Sequence, residues 1–295
     1  MVRCRSLKTT RQALAALFLV LTSGAVWAGP QNPPVPIGTN PGGVKVAIIG
    51  SGLDYTRPEI AARLARDGEG EIIGWDFVGD DRRPFASTPD GASRILLSEG
   101  QAVSLVVIAT NFADPLLIAK ALRYAAQSPA RIIALQVPWT NVELARISAE
   151  AARHYPDRLF IAGAGDDNRD LDANDHQEPA AVEAASNVIV TTAADANGEI
   201  AKGANWGAQA VELAIDIQSR GPGEAPSADV ARAAPSQAAL ARLAALAARL
   251  VAVAPELDGA ALKRRICALA RPVPGAKPST KAGLIGDPWK PYWLE

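Results

Sequence analysis

Three sets of residues in this chain have types and spacings that could do chemistry. The first is the turn Gly50-Ser51-Gly52, inside "VKVAIIGSGLDYTRPEI" from Val44 to Ile60. A dinucleotide-binding turn needs a third glycine where Tyr55 stands, and a helix that opens directly at the phosphates. Here Asp54 places a carboxylate where phosphate would sit, and Pro58 disfavours helix at Arg57, delaying its start. Asp76 lies roughly where a ribose-binding acid belongs, so the fingerprint is incomplete, not absent.

The second set is nucleophiles and bases. Ser51, Ser227 and Ser236 are candidate hydroxyls, but the chain holds only two histidines, His154 and His176. His154 ends a surface helix, where the dipole favours it, and His176 follows an acidic loop. The third set is carboxylates. Asp90 and Asp166, with Asp54 and Asp229, could form an acid/base pair or an acidic cleft for a cationic peptide or free amine. They could equally cap helix N-termini or stand solvated. In "DDNRDLDANDHQE" (166–178), Asp170, Asp172 and Asn174 are spaced as weak calcium candidates. The loop lacks the glycine and the twelfth-position glutamate of an EF-hand, Ala181 standing twelfth from Asp170, so a solvated acidic loop is the competing reading. No Cys/His spacing suits zinc. The expectation is no cofactor, calcium being the one candidate.

These residues are carried by alternating elements. Strands are predicted at 45–50, 71–78, 102–110, 130–137, 158–165 and 187–195. Helices are predicted at 59–66, 115–127 and 141–154, then as one long Ala-rich helix over 227–253 broken only by Pro235, and finally at 258–271. Arg242 and Arg249, seven apart, are expected on its solvated edge. Buried apolar strands between amphipathic helices imply an α/β fold with a parallel sheet covered on both faces. No fixed-period repeat is visible.

In that order the segments resemble the subtilisin-like serine peptidases, the subtilase family (peptidase S8). "VAIIGSGLDYTRPEI" followed by "IIGWDFVGDD" is similar to the family's opening. "LFIAGAGDDNRDLDAN" is similar to its A-A-G-N segment and acidic loop. "NVIVTTAADANGEIAKGANWGAQAVELA" is similar to the series that follows, and "ARAAPSQAALARLAALAARL" to the helix of the nucleophile motif G-T-S-x-A-x-P. The resemblance spans residues 44–255 and implies a subtilisin-like three-layer fold, a mostly parallel sheet with helices on both faces.

It also implies where a catalytic triad would stand, and those positions are changed. The aspartate position corresponds to Gly50, the histidine position to Asp90, the nucleophile position to Ala231 and the oxyanion-hole asparagine to Asp166. The substrate-lining stretch corresponds to Gln136-Val137-Pro138. Losing the serine or histidine alone costs about 10⁶ in turnover, and a side-chain oxyanion donor about 10²–10³ more. The expectation is therefore a degenerate member whose cleft, lined by Gln136, Val137, Pro138, Asp90, Asp166 and Arg232, binds a peptide or protein partner without cleaving it. Peptide hydrolysis by family, hydrolysis by an Asp90/Asp166 pair, and a structural or assembly role with the cleft filled by Arg232 or Gln136 are the alternatives.

Residues 1–28 read as a secretory signal: Arg3, Arg5, Lys8 and Arg11, the apolar run from Ala13 to Leu21, and small residues at Val26 and Ala28. An uncleaved anchor is the competing reading. Cleavage moves the formal net charge from −1 to −5 and leaves Cys267 as the sole cysteine, so no intrachain disulfide is expected in the exported chain, periplasmic or extracellular. That charge implies no nucleic-acid partner. Residues 29–43, with five prolines and four glycines, read as an extended linker before the domain at 44–295. "GDPWKPYWLE" (286–295) is expected to pack on the domain or to serve as an aromatic anchor.

Overall fold

The computed structural model describes residues 32–88, 90–100, 102–138, 140–173, 185–219, 228–272 and 279–288. The predicted signal, Asn174, His176, Ser227 and the tail from Trp289 onward lie outside these residues.

Eight strands form one sheet: β1 Val44–Gly50, β2 Gly74–Asp76, β3 Val103–Ala109, β4 Ile132–Pro138, β5 Leu159–Gly163, β6 Val188–Ala194, β7 Leu213–Asp216 and β8 Leu284–Ile285. Their order is β2-β3-β1-β4-β5-β6-β7-β8, and every pairing is parallel. Parallel strands need both faces covered, which is why β3 and β6 are buried along their whole length. Alternate residues feed two apolar cores. Val46, Ile48, Leu105, Val107, Ile132 and Ile161 enter one; Ala47, Ile49, Val106, Ile108, Ile133 and Phe160 enter the other.

Helices α3 (Pro115–Gln127) and α4 (Val142–His154) cover the second core, as their periodicity predicts. Helices α2 (Gly91–Glu99), α6 (Pro235–Val253) and α7 (Gly259–Cys267) cover the first. Two short helices, α1 (Pro58–Ala61) and α5 (Ala228–Arg232), complete the set.

Four differences from the sequence reading have physical causes. Helix α1 stops at Ala61 because Arg63 O and Ala65 N are taken by Leu105, extending the chain along β3. Helix α2 is not among the predicted elements; it begins where Asp90 caps the N–H groups of Ala92 and Ser93. The predicted 227–253 helix is two helices, with Ala233 and Ala234 between them and Pro235 at the first position of α6. The fourth concerns Arg242, which is not on a solvated edge but wholly buried. Helix α6 is apolar all round, so its charge must turn inward too. Arg242 Nε donates to Glu99 Oε1 at 2.9 Å, Nη1 to Asp216 O at 2.6 Å and Nη2 to Ser219 O at 2.5 Å. Arg249, half-buried, donates to Glu99 O and Pro288 O. Among the described residues α6 alone has the length and apolarity to cross a membrane, and 78% of that window is buried inside the domain.

Residues 32–43 form no helix or strand, as their composition predicts, yet they are docked instead of loose. Asn32 Nδ2 donates to Asp76 and to Arg83 O, Tyr55 Oη to Pro33 O at 2.7 Å, and Arg66 Nη2 to Pro36 O at 2.7 Å.

Removing one partner of a buried ion pair costs about 3–5 kcal/mol, because the other keeps its charge without its counter-ion. Arg242→Ala is expected to lose that much in urea unfolding, and the Glu99→Leu/Arg242→Met double variant less than the sum of its singles. Cys267, on α7, is pushed up from 9.0 to about 11, first by burial and then by Glu212, with Lys263 opposing. A folded-state value above the unfolded one favours folding below pH 9 and loses that contribution as pH rises through 11. Unfolding midpoints are therefore expected to fall between pH 9 and 11, less so in Cys267→Ser.

Candidate functional site

The sheet reverses its winding at β1, with β3 on one side and β4 on the other. In open α/β sheets the carboxyl ends of strands at such a point border a ligand crevice. A cleft of about 710 Å³ lies here, lined by Ser51, Thr88, Asp90, Gln136, Asp229, Arg232, Ala233 and Gln237, among others. The Gly50-Ser51-Gly52 turn thus does meet a crevice, with Gly52 at φ 107°, and Leu53 is bonded to Pro84 O rather than opening a helix.

The centre of the cleft is a pair of side chains. Register in β4 slips between Leu135 and Pro138, an irregularity that re-aims the residues inside it. From there Gln136 Nε2 donates to both carboxylate oxygens of Asp90, at 2.8 Å each. Asp90 also accepts from Ala92 N at 3.0 Å, Ser93 N at 3.3 Å and Ser93 Oγ, so it is both the N-cap of α2 and the partner of Gln136. The far end of the same carboxamide fills the space beside Gly50. A Cβ built on Gly50 would overlap Gln136 Oε1 and lie 3.0 Å from its Cδ. Gln136 therefore occupies the volume that a side chain at position 50 would need.

Asp166 is spent elsewhere. It accepts from Ser236 N at 2.8 Å and from Ser236 Oγ, tying the loop after β5 to the first turn of α6. A carboxylate at a helix N-terminus satisfies an orphan donor and meets the positive end of the dipole. The expected Asp90/Asp166 acid–base pair does not form: each carboxylate is held by its own helix terminus, and only Asp90 lines the cleft. Asp54 bonds Thr56, and Asp229 is paired with Arg94 at 3.0 Å. Two carboxylates, Asp90 and Asp229, and two guanidiniums, Arg94 and Arg232, line the cleft, so the two signs balance there. Arg232 is exposed at its wall and has no hydrogen bond or ion pair among the described residues.

Of the remaining candidates, Ala231 is exposed on α5 and is not a lining residue, whereas Arg232 is. Val137 and Pro138 end β4. Asp172 accepts from Gln209 N at 2.9 Å and Ala210 N at 2.8 Å, and Asp170 from Asp172 N at 3.0 Å. Among the described residues no three His, Cys, Asp or Glu side chains gather as a metal site would require. His154 Nδ1 lies 2.9 Å from Glu150 O at the end of α4, away from the cleft. The part sequence reasoning missed is the Gln136–Asp90 pair. Asp90 before "GASRILL" carried an N-cap signal that could have revealed α2. Nothing local marks Gln136 as its partner, since the two are 46 residues apart.

Each hydrogen bond to the Asp90 carboxylate is worth about 1.5–3 kcal/mol. Gly50→Ala must expel the Gln136 carboxamide, and Gln136→Ala deletes it. In a double-mutant cycle the pair is expected to cost less than the sum of the singles by about 0.5–3 kcal/mol. Strict additivity in chemical denaturation would show that the two positions do not share this space.

No protein-family model and no curated protein matches the sequence. Solved structures do. A cold-adapted subtilisin-like serine proteinase superposes with TM-score 0.62 at 15% identity, over 86% of this chain and 93% of that one. The subtilase cytotoxin SubAB gives 0.60 at 15%, over 84% and 88%. MycP1 without its N-terminal propeptide gives 0.56 at 18%, over 85% and 90%. Together with the eight-stranded parallel sheet and its two helical layers, these likenesses establish that the chain has the subtilisin-like α/β fold.

Proposed function

We propose that this chain is an exported, non-catalytic relative of the subtilisin-like peptidases whose cleft binds a peptide or protein segment. The observation that carries the reading is Gln136. Its carboxamide fills the place beside Gly50 and holds Asp90 through both carboxylate oxygens. Where a triad would orient a base toward a nucleophile, this pair braces β4 against the start of α2. No histidine among the described residues lines the cleft, and Asp166, at the position of the oxyanion donor, is bonded to Ser236. The cleft volume suits a few side chains of a ligand. Its unspent charge is Arg232, which favours a carboxylate-bearing segment over a cationic one.

Export is supported by the basic, apolar and small-residue pattern of residues 1–28. Edman sequencing of the protein recovered from outside the cytoplasm is expected to start at Gly29; a start at Met1 would overturn export by cleavage.

A quenched-fluorescence peptide library incubated with residues 29–295 is expected to give no turnover above a buffer control, and the Ala231→Ser variant none either. Turnover by the natural chain that co-purifies with it and is lost in Asp90→Asn would sink the non-catalytic reading. Binding is read separately, by anisotropy of a labelled peptide library, with Arg232→Glu expected to weaken acidic members.

A further inference from the structure

A second surface, remote from the cleft, is built from α3 and α4. Each helix spends one stripe on the core: Ile118, Ala121, Leu122 and Ala125 on α3, and Leu144, Ala145, Ala149 and Ala152 on α4. Each also presents a second stripe at helical spacing to a groove of about 700 Å³ between them. From α3 come Leu116, Ala119, Lys120 and Arg123; from α4 come Ile147, Ala151 and Tyr155, with Arg146, Glu150 and His154 at the rim.

The floor is apolar. Ile147, Ala151 and Tyr155 are half-buried caps on the second core, and Leu116 is 63% exposed. The rim is cationic. Helix α3 contains no acidic residue, and Lys120 and Arg123 are exposed with no ion pair among the described residues. Glu150 is the one carboxylate lining the groove, and it is paired with Arg146 at 3.3 Å. A patch of this sign stands out on a chain whose formal net charge is −1.

We infer that the α3–α4 groove is a docking surface for an acidic amphipathic helix of a partner protein, apolar anchors in the groove and Glu or Asp against Lys120 and Arg123. Two features select this occupant. A groove between two helices with an apolar floor receives side chains spaced i, i+3, i+4 and i+7, which only a helix supplies from one face. The rim then sets the sign of the flanks by charge complementarity. A second copy of this chain meeting the groove face to face would bring cation against cation, so self-association through this surface is disfavoured.

The probe is a fluorescein-labelled synthetic peptide with Leu at i, i+3, i+4 and i+7 and Glu on both flanks, beside the same peptide with Lys for Glu. With the full mature chain, anisotropy is expected to show saturable binding of the Glu peptide, weakening as salt is raised, and none of the Lys peptide. Lys120→Glu/Arg123→Glu is expected to weaken the Glu peptide by about tenfold or more and to gain binding of the Lys peptide. Leu116→Asp is expected to weaken the Glu peptide. All three positions are exposed, so thermal melts should be unchanged, and the charge-swap gain cannot come from misfolding. Any part of the Glu peptide held in the cleft is lost in Arg232→Glu, while the groove-bound part is expected to persist in that variant and to fall in Lys120→Glu/Arg123→Glu. Loss of all binding in Arg232→Glu, with none lost in Lys120→Glu/Arg123→Glu, would place the peptide in the cleft and overturn the inference while leaving the cleft reading intact. Equal binding of both peptides, or no saturable binding, would also overturn it. So would sedimentation with phosphatidylglycerol vesicles that depends on Lys120 and Arg123 without peptide binding.

Discussion

Everything in this domain accommodates one helix that has no solvent side. Helix α6 carries 19 residues across the sheet, and its alanines let β1, β4, β5, β6 and β7 approach it closely while α2 and α7 flank it. A helix so enclosed has nowhere to put a charge or an unpaired terminus. Arg242 is therefore stitched to Glu99 and to carbonyls at and after the end of β7, and the Ser236 N–H in the first turn is met by Asp166 reaching over from the loop after β5. Buried ion pairs contribute little net stability against an apolar alternative, but removing half of one is costly. Arg242 and Glu99 thus fix how α2, α6 and β7 meet more than they strengthen the fold.

The same two helix starts explain the cleft. Asp90 and Asp166 both answer orphan N–H groups, one for α2 and one for α6, and both stand at positions where the subtilisin-like resemblance would put a catalytic side chain. Carboxylates serve this architectural task well because the dipole favours them there. Asp90 thus meets Gln136 and the start of α2 together, and Arg232 stands at the wall of the same cleft. The α3–α4 groove, on the opposite face of the sheet, depends on none of these bonds, so the two surfaces can be altered independently.

Most of the frame was legible from periodicity. Strands β1, β3, β4, β5 and β6 and helices α3 and α4 are declared by apolar runs or by stripes repeating every three to four residues. What was illegible depended on residues distant in sequence. Arg242 looks solvated because a charge at seven-residue spacing usually is; Glu99, 143 residues away, together with the Asp216 and Ser219 carbonyls makes its burial tolerable. Residues 32–43 look like a linker because proline and glycine forbid regular structure. Composition says nothing of side chains such as Asn32, Tyr55 and Arg66 that bind an irregular backbone in place. In the site, the resemblance pointed to Gly50, Asp90 and Gln136 one by one, while the contact that joins them was not legible. A glutamine in an apolar strand gives no hint of its partner.

The interlock of Gly50 and Gln136 also bears on how such a chain can change over time. Any side chain placed at position 50 meets the Gln136 carboxamide, and shortening Gln136 strips Asp90 of two hydrogen bonds. The two positions are therefore coupled: a larger residue at 50 is accommodated only together with a new rotamer of Gln136 or a change at 136.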